Sequence, residues 1–171
     1  MRYQLSHKPT TNVATYQNRV YATHTTGGRT DIHEYTFDVN WLGRHIVDMT
    51  SEAGWMTLSA RGNDVTCCST KNGKIGVLTT SGQLRHAYGE PGSGGAGHLS
   101  MATICDDDDD GSLLLADNGN GRLQVMSERG EFSVLRLQPP PPQPSAAVLF
   151  NNCLFVTSAR SKAITKYKQY L

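Results

Sequence analysis

A chain of 171 residues can bury one ordinary core, and its 16 Lys+Arg against 15 Asp+Glu leave a net charge of +1. Bulk charge therefore gives no argument for a nucleic-acid or membrane-surface partner; any such argument has to come from local clustering. No apolar run approaches membrane-spanning length, and MRYQLSHKPTTNVATYQNRV lacks the apolar segment of a secretory leader, so a cytoplasmic, non-membrane protein is expected.

In chain order, a short strand near Tyr3–Ser6 comes first, followed by the weakest copy of a repeat, RVYATHTTGGRTDIHEYTF at 19–37. A second copy predicts strands near Met56–Ala60, Val65–Ser69, Ile75–Thr79 and Gln83–Tyr88. PGSGGAG at 91–97 lacks the Gly-Lys-Ser/Thr ending and following helix of a phosphate loop, and reads as a connection between repeats. The third copy predicts Met101–Cys105, Ser112–Ala116, Arg122–Met126 and Phe132–Leu137. QPPPPQP at 138–144 offers P-x-x-P, yet in register it is another connection, read as a stiff linker. The last copy, CLFVTSARSKAITKYKQYL at 153–171, stops after its third strand.

Taking Ile32, Ile75, Leu123 and Ile164 as equivalent gives spacings of 43, 48 and 41 residues. That period suits four short strands per unit, as in propeller blades of about 40–50 residues. Leu113, Leu114 and Leu115 form the apolar run of a strand buried on both faces. Thr-Ser-Gly-Gln at 80–83 and Glu-Arg-Gly-Glu at 128–131 put glycine where a hairpin needs positive φ. The expected fold is an all-β β-propeller of four-stranded antiparallel blades, about four in number, forming one domain over 1–171. The Tyr3–Ser6 strand would then close the last blade and hide a sheet edge.

Asp106, Asp108, Asp110 and Gly111 spell the D-x-D-x-D-G opening of a calcium loop, with Asp117 at position twelve. Leu114 at position nine offers no side-chain oxygen, and a strand through the leucines would carry Asp117 away from the other aspartates. An Asp-rich turn between strands is the expectation. The six histidines never pair at metal-ligand spacing, and no nucleophile elbow appears. Cys67, Cys68, Cys105 and Cys153 match neither a CxxC site nor a disulfide framework; free thiols are expected, though counting leaves three bridged pairings open. No metal, cofactor or catalytic residue is expected.

The polar residues with most to offer lie between the second and third strands of each copy: Arg29; Lys71, Asn72 and Lys74; Asn118, Asn120 and Arg122; Arg160 and Lys162. Turns of this kind share one face of a propeller, so six cations would gather there beside amides able to read bases.

GEPGSGGAGHLSMATICDDDDDGSLLLADNGNGRLQVMSERGEF resembles an NHL repeat, with its Gly/Pro-rich approach, Asp-rich turn, Ala-Asp strand end, Asn loop and Arg-Leu-Gln-Val. KAITKYKQYL resembles the last strand of the NHL domains that end many tripartite-motif (TRIM) proteins. Residues 1–55 match by period alone, the family usually has six blades, and the RING, B-box and coiled-coil segments are missing from this chain. The resemblance implies a non-enzymatic scaffold that binds a protein through propeller loops, such as a substrate of a TRIM-type ubiquitin ligase. Single-stranded RNA bound by the cationic turns, with repression of messages, is the alternative. A propeller hydrolase or lyase with a channel metal is the third reading. An incomplete ring would expose two sheet edges and is expected to self-associate.

Overall fold

The structure is a computed structural model that describes residues 10–26, 29–38, 40–46, 56–61, 64–69, 73–79, 81, 83–107 and 110–168. The proposed strand at Tyr3–Ser6, and with it ring closure, lies outside the described residues. The chain divides into two compact units, 1–87 and 88–171. Among the described residues no helix is long and apolar enough to cross a membrane.

The first unit holds two antiparallel meanders. One runs β1 (Thr10–Tyr16), β2 (Arg19–Thr26), β3 (Arg29–Thr36) and β4 (Trp41–Ile46); the other runs β5 (Met56–Arg61), β6 (Asp64–Ser69), β7 (Lys74–Thr79) and β8 (Leu84–Tyr88). The weakest sequence copy is thus a complete four-stranded blade. Side chains alternate across a strand, so each sheet has one set for each face. Tyr21 and Ile32 of the first blade pack on Leu58, Ala60, Val65, Cys67 and Leu78 of the second. Ile32, Leu58, Val65 and Leu78 each contribute about 1.5–3 kcal/mol when fully buried. Asn12 ties the two sheets together: its Oδ1 accepts from the Leu58 N–H at 3.2 Å, while its own N–H donates to Thr23 Oγ1 at 2.9 Å.

The second unit opens with a parallel pair, β9 (Glu90–Pro91) and β10 (His98–Leu99), which folds the glycine-rich connection back on itself. The third blade follows as β11 (Ala102–Asp107), β12 (Leu113–Asp117), β13 (Arg122–Met126) and β14 (Phe132–Leu135). The fourth sheet has three strands, β15 (Pro144–Phe150), β16 (Cys153–Ser158) and β17 (Ala163–Lys168). Leu113 and Leu115 are buried on one face of β12, while Ala116 and Leu114 face the cluster of Leu123, Ala147, Leu154, Val156 and Tyr167. The leucine run is therefore an inner strand covered on both sides, as its composition predicts. The fold is all-β, of the β-propeller class, with four blades.

The repeat carries a device that the glycine signal alone did not reveal. At the turn from third to fourth strand, a hydroxyl residue brackets the hairpin with its backbone and side chain together. Thr36 N–H donates to Asn40 O at 3.0 Å and Asn40 N–H to Thr36 Oγ1 at 3.2 Å. Thr79 with Gln83, and Ser127 with Glu131, repeat both bonds at 2.9–3.1 Å. Thr36, Thr79 and Ser127 are spaced by 43 and 48 residues, the same period as the buried Ile32, Ile75 and Leu123.

Candidate functional site

Strand β12 ends on Asp117, whose carboxylate is fully buried and saturated with donors. Oδ1 accepts from the Ser100 N–H at 2.8 Å; Oδ2 accepts from Arg122 Nε at 2.8 Å and Gln124 Nε2 at 2.9 Å; Asn120 Nδ2 bridges both oxygens. Arg122 spends its other nitrogens on the carbonyls of Gly94, Gly95 and His98 at 2.8–3.0 Å. Gln124 completes the clamp, accepting from the Gly97 N–H at 2.9 Å and donating to His98 O at 3.0 Å. A buried carboxylate is tolerated only when paired and hydrogen-bonded in this way. The result ties the incoming glycine-rich connection to the end of the second strand.

The same position performs the same task in the next blade. Ser158 Oγ donates to Pro142 O and accepts from the Ser161 N–H at 3.2 Å, while Tyr167 Oη donates to Pro139 O at 3.0 Å. Asn118 Nδ2 donates to Pro144 O at 3.1 Å. The proline segment is thus stapled down along its length, as a stiff linker would be.

The sequence-nominated residues fall where the repeat puts them, and then diverge. Arg29, Lys74 and Arg122 each begin the third strand of their blade, and Lys162 directly precedes β17. Lys71 and Asn72, and the side chain of Arg29, lie outside the described residues. Asn118, Asn120 and Arg122 come together, but the Asn118 amide is engaged by Pro144 O of β15, and Asn120 and Arg122 by Asp117 and the glycine-rich connection. Arg160 and Lys162 stand exposed on the hairpin before β17. Lys162 has φ of +52°, where the equivalent Gly73 and Gly121 have +60° and +65°. Asp110 Oδ1 accepts from the Ser112 N–H at 2.8 Å, the bond of an Asx turn. Asp117 sits at the far end of β12, about 13 Å along a strand of 3.3 Å rise per residue, so the twelfth position of the calcium count points elsewhere.

Two groupings went unseen in the sequence. On the first blade, His24 and His33 are brought together because Ala22, two residues before His24, is paired with His33. Their rings lie 4.2 Å apart, and Tyr35 Oη is 3.3 Å from His24 Nε2 and 3.4 Å from His33 Nδ1. Burial pushes the Tyr35 phenol above its ordinary pKa, so it stays a protonated partner to the rings. His24 is buried, which suits a core network better than a reacting group. Beside it Arg44 Nε donates to Asp31 Oδ2 at 3.0 Å. The second grouping is an open groove at the turn end of the same blade, lined by Asn18, Arg19, Thr36, Phe37, Asp38 and Leu42. Phe37 is 56% exposed there, and Trp41, next to Leu42, is 63% exposed. Among the described residues Cys67, Cys68, Cys105 and Cys153 form no disulfide.

No protein-family model matches the chain, and no curated protein matches it. Among solved structures, the computationally designed Ika4 protein has a TM-score of 0.66 at 16% identity, covering 99% of this chain and 100% of Ika4. Virginiamycin B lyase from Staphylococcus aureus has a TM-score of 0.64 at 16% identity, covering 93% of this chain and 55% of the lyase. A structural-genomics protein from Bacteroides thetaiotaomicron has a TM-score of 0.76 at 12% identity, with coverage of 93% and 47%. The chain thus spans all of Ika4 but about half the length of the other two. These likenesses agree on the β-propeller fold and carry the fold alone.

Proposed function

We propose that the chain is a non-enzymatic recognition module of the NHL type, holding side chains out from rigid blades to a protein partner. The observation that carries this reading is the groove at the end of the first blade, where Phe37 and Leu42 stand exposed, with Trp41 exposed next to Leu42 in the chain. Exposed aromatics at a rigid turn are the kind of anchor on which protein interfaces depend, and truncating such an anchor costs about 2 kcal/mol or more of binding. Substrate capture for a TRIM-type ubiquitin ligase is the form that the family resemblance gives to this function, with the ligase chemistry outside this chain.

RNA binding by the turns before the third strands has less to draw on. Base reading needs amide and guanidinium donors facing outward. Asn118, Asn120 and Arg122 use theirs on Asp117 and on backbone carbonyls. Arg160 and Lys162 remain as exposed charges, enough for salt-sensitive contact with a phosphate backbone.

Fluorescence anisotropy with a pool of random single-stranded RNA, at low and at physiological salt, separates the two. The proposal expects whatever binding occurs at low salt to vanish at physiological salt. Binding that persists there and favours some sequences would overturn it.

A further inference from the structure

We infer that the proline run Pro139–Pro142 is a docking ridge for an SH3-type domain, whose aromatic-lined groove with an acidic rim reads P-x-x-P. The inference does not rest on the first-blade groove: it concerns another surface and a partner of different chemistry.

Three observations lead there. First, the run is held in the conformation that such grooves take up. Proline fixes its own φ, and a residue followed by proline is kept out of the helical region, so Pro139, Pro140 and Pro141 are set as polyproline II. The cis bond of the segment, Gln138–Pro139, lies before the run, and Gln143, with φ of +49°, ends it. Both ends are tied to the fourth sheet: Pro139 O accepts from Tyr167 Oη at 3.0 Å, Pro142 O from Ser158 Oγ, and Gln143 O from the Ala159 N–H at 3.2 Å. Bridging two blades does not demand such a run, because the preceding connection, residues 89–100, has five glycines and one proline. A ligand already ordered in this way loses little further conformational entropy on binding.

Second, the run shows its rings. A polyproline II helix has about three residues per turn, so its cross-section has three edges, and Pro139 and Pro142 share one of them. Pro139, Pro140 and Pro142 are exposed, whereas Pro141 is buried, as are Leu137 and Pro144 on either side of the run. One edge is therefore seated on the protein and the other two face outward. Two adjacent edges are what a polyproline-reading groove holds. The Pro139 and Pro142 carbonyls already accept from Tyr167 and Ser158, so what the run offers is ring surface, which suits aromatic walls.

Third, the charge on both sides of the run has one sign. Arg136 stands exposed three residues before Pro139, so the sequence reads R-x-x-P-x-x-P. At the other end the exposed Arg160 follows Ala159, whose N–H holds Gln143. From Phe132 to Leu171 the sequence has no Asp or Glu. Two arginines bracketing an apolar ridge call for carboxylates at the rims of an apolar groove, where complementary charge sets specificity and speeds encounter. No aromatic residue lies between Phe132 and Phe150, so the run lacks the aromatic companion that WW and EVH1 grooves take with their prolines. Its arginines select the SH3 type.

The test immobilises the full chain and passes over it a panel of purified SH3 domains with acidic groove rims, and a panel of WW domains for comparison, at up to about 200 µM each. The expected result is saturable, micromolar binding of SH3 domains that a synthetic peptide of residues 135–144 competes away. Binding should weaken about tenfold or more in Pro140→Ala with Pro142→Ala and, separately, in Arg136→Glu with Arg160→Glu. It should stay within about twofold in Phe37→Ser with Trp41→Ser. Far-UV circular dichroism and urea midpoints establish that the variants fold, and the arginine pair carries the test if the proline pair does not fold. The inference is overturned if no SH3 domain binds, if binding ignores the prolines and the arginines, or if WW domains bind in preference. A 135–144 peptide that binds SH3 domains while the full chain does not would overturn it too, because the staples would then hide the run. The Phe37 and Trp41 variant keeps the fate of this ridge and the fate of the first-blade groove distinguishable.

Discussion

Arg122 Nε lies 2.8 Å from Asp117 Oδ2, across the last paired residues of β12 and β13, and Asp117 has no exposure to solvent. The pair is the centre of a clamp whose other ends are three carbonyls of the glycine-rich connection. Breaking a buried pair by removing one partner leaves the other charge uncompensated, which costs about 3–5 kcal/mol. Arg122→Leu should therefore lower the urea-unfolding free energy by about that much. A change below about 1 kcal/mol would show the clamp to be dispensable.

Lys162 occupies the left-handed turn position that glycine fills in two other blades. A side chain there costs about 1–2 kcal/mol relative to glycine. Lys162→Gly is expected to stabilise the chain by roughly 1 kcal/mol, a gain readable as a raised urea midpoint with unchanged slope.

Gly130 and Gly121 give a paired test of what a positive φ costs. Both are left-handed, at +81° and +65°, but a Cβ on Gly130 would collide with the Tyr88 ring, while one on Gly121 meets nothing within 4 Å. Gly121→Ala should cost about 1 kcal/mol from backbone strain alone, and Gly130→Ala visibly more. Equal losses would mean that the Tyr88 ring yields without cost.

Burial pushes the Cys67 thiol up to about 12 from an ordinary 9.0. In the unfolded chain the thiol ionises first, so the stability it contributes is intact below about pH 9 and is lost between there and pH 12. The unfolding free energy should fall by roughly 1 kcal/mol on going from pH 8 to pH 10 through this group. Cys67→Ala should remove that part of the slope, while the buried Tyr21 and Tyr35 add a decline of the same sign at higher pH.

Much of this fold was legible in the sequence because the repeat signals are local. The leucine run, the hairpin glycines and the Arg-Leu-Gln-Val strand each declare a strand from a handful of neighbours. The first blade was legible only by period, since Arg19–Thr36 mixes histidine, threonine and aspartate, and its apolar faces show only once β2 and β3 are paired. Arg29, Lys74 and Arg122 stand at the start of their third strands as the repeat predicts, but what their side chains do was not readable. Whether Asn120 and Arg122 face solvent or a buried carboxylate depends on Gly92–His98 folding back over them, a contact across more than twenty residues. His24 and His33 likewise meet through strand register rather than spacing. The groove had no signal beyond an aromatic at a turn, Phe37, which in isolation reads as core.

The measurement that tests the account most directly is quantitative capture from nuclease-treated cell lysate on three immobilised forms: wild type, Phe37→Ser with Trp41→Ser, and Arg160→Glu with Lys162→Glu. Protein recognition through the first-blade groove predicts a set of captured proteins that survives nuclease, is lost on the aromatic variant, and is retained on the charge variant. A captured set indifferent to Phe37 and Trp41, or one that disappears with the RNA, would contradict it.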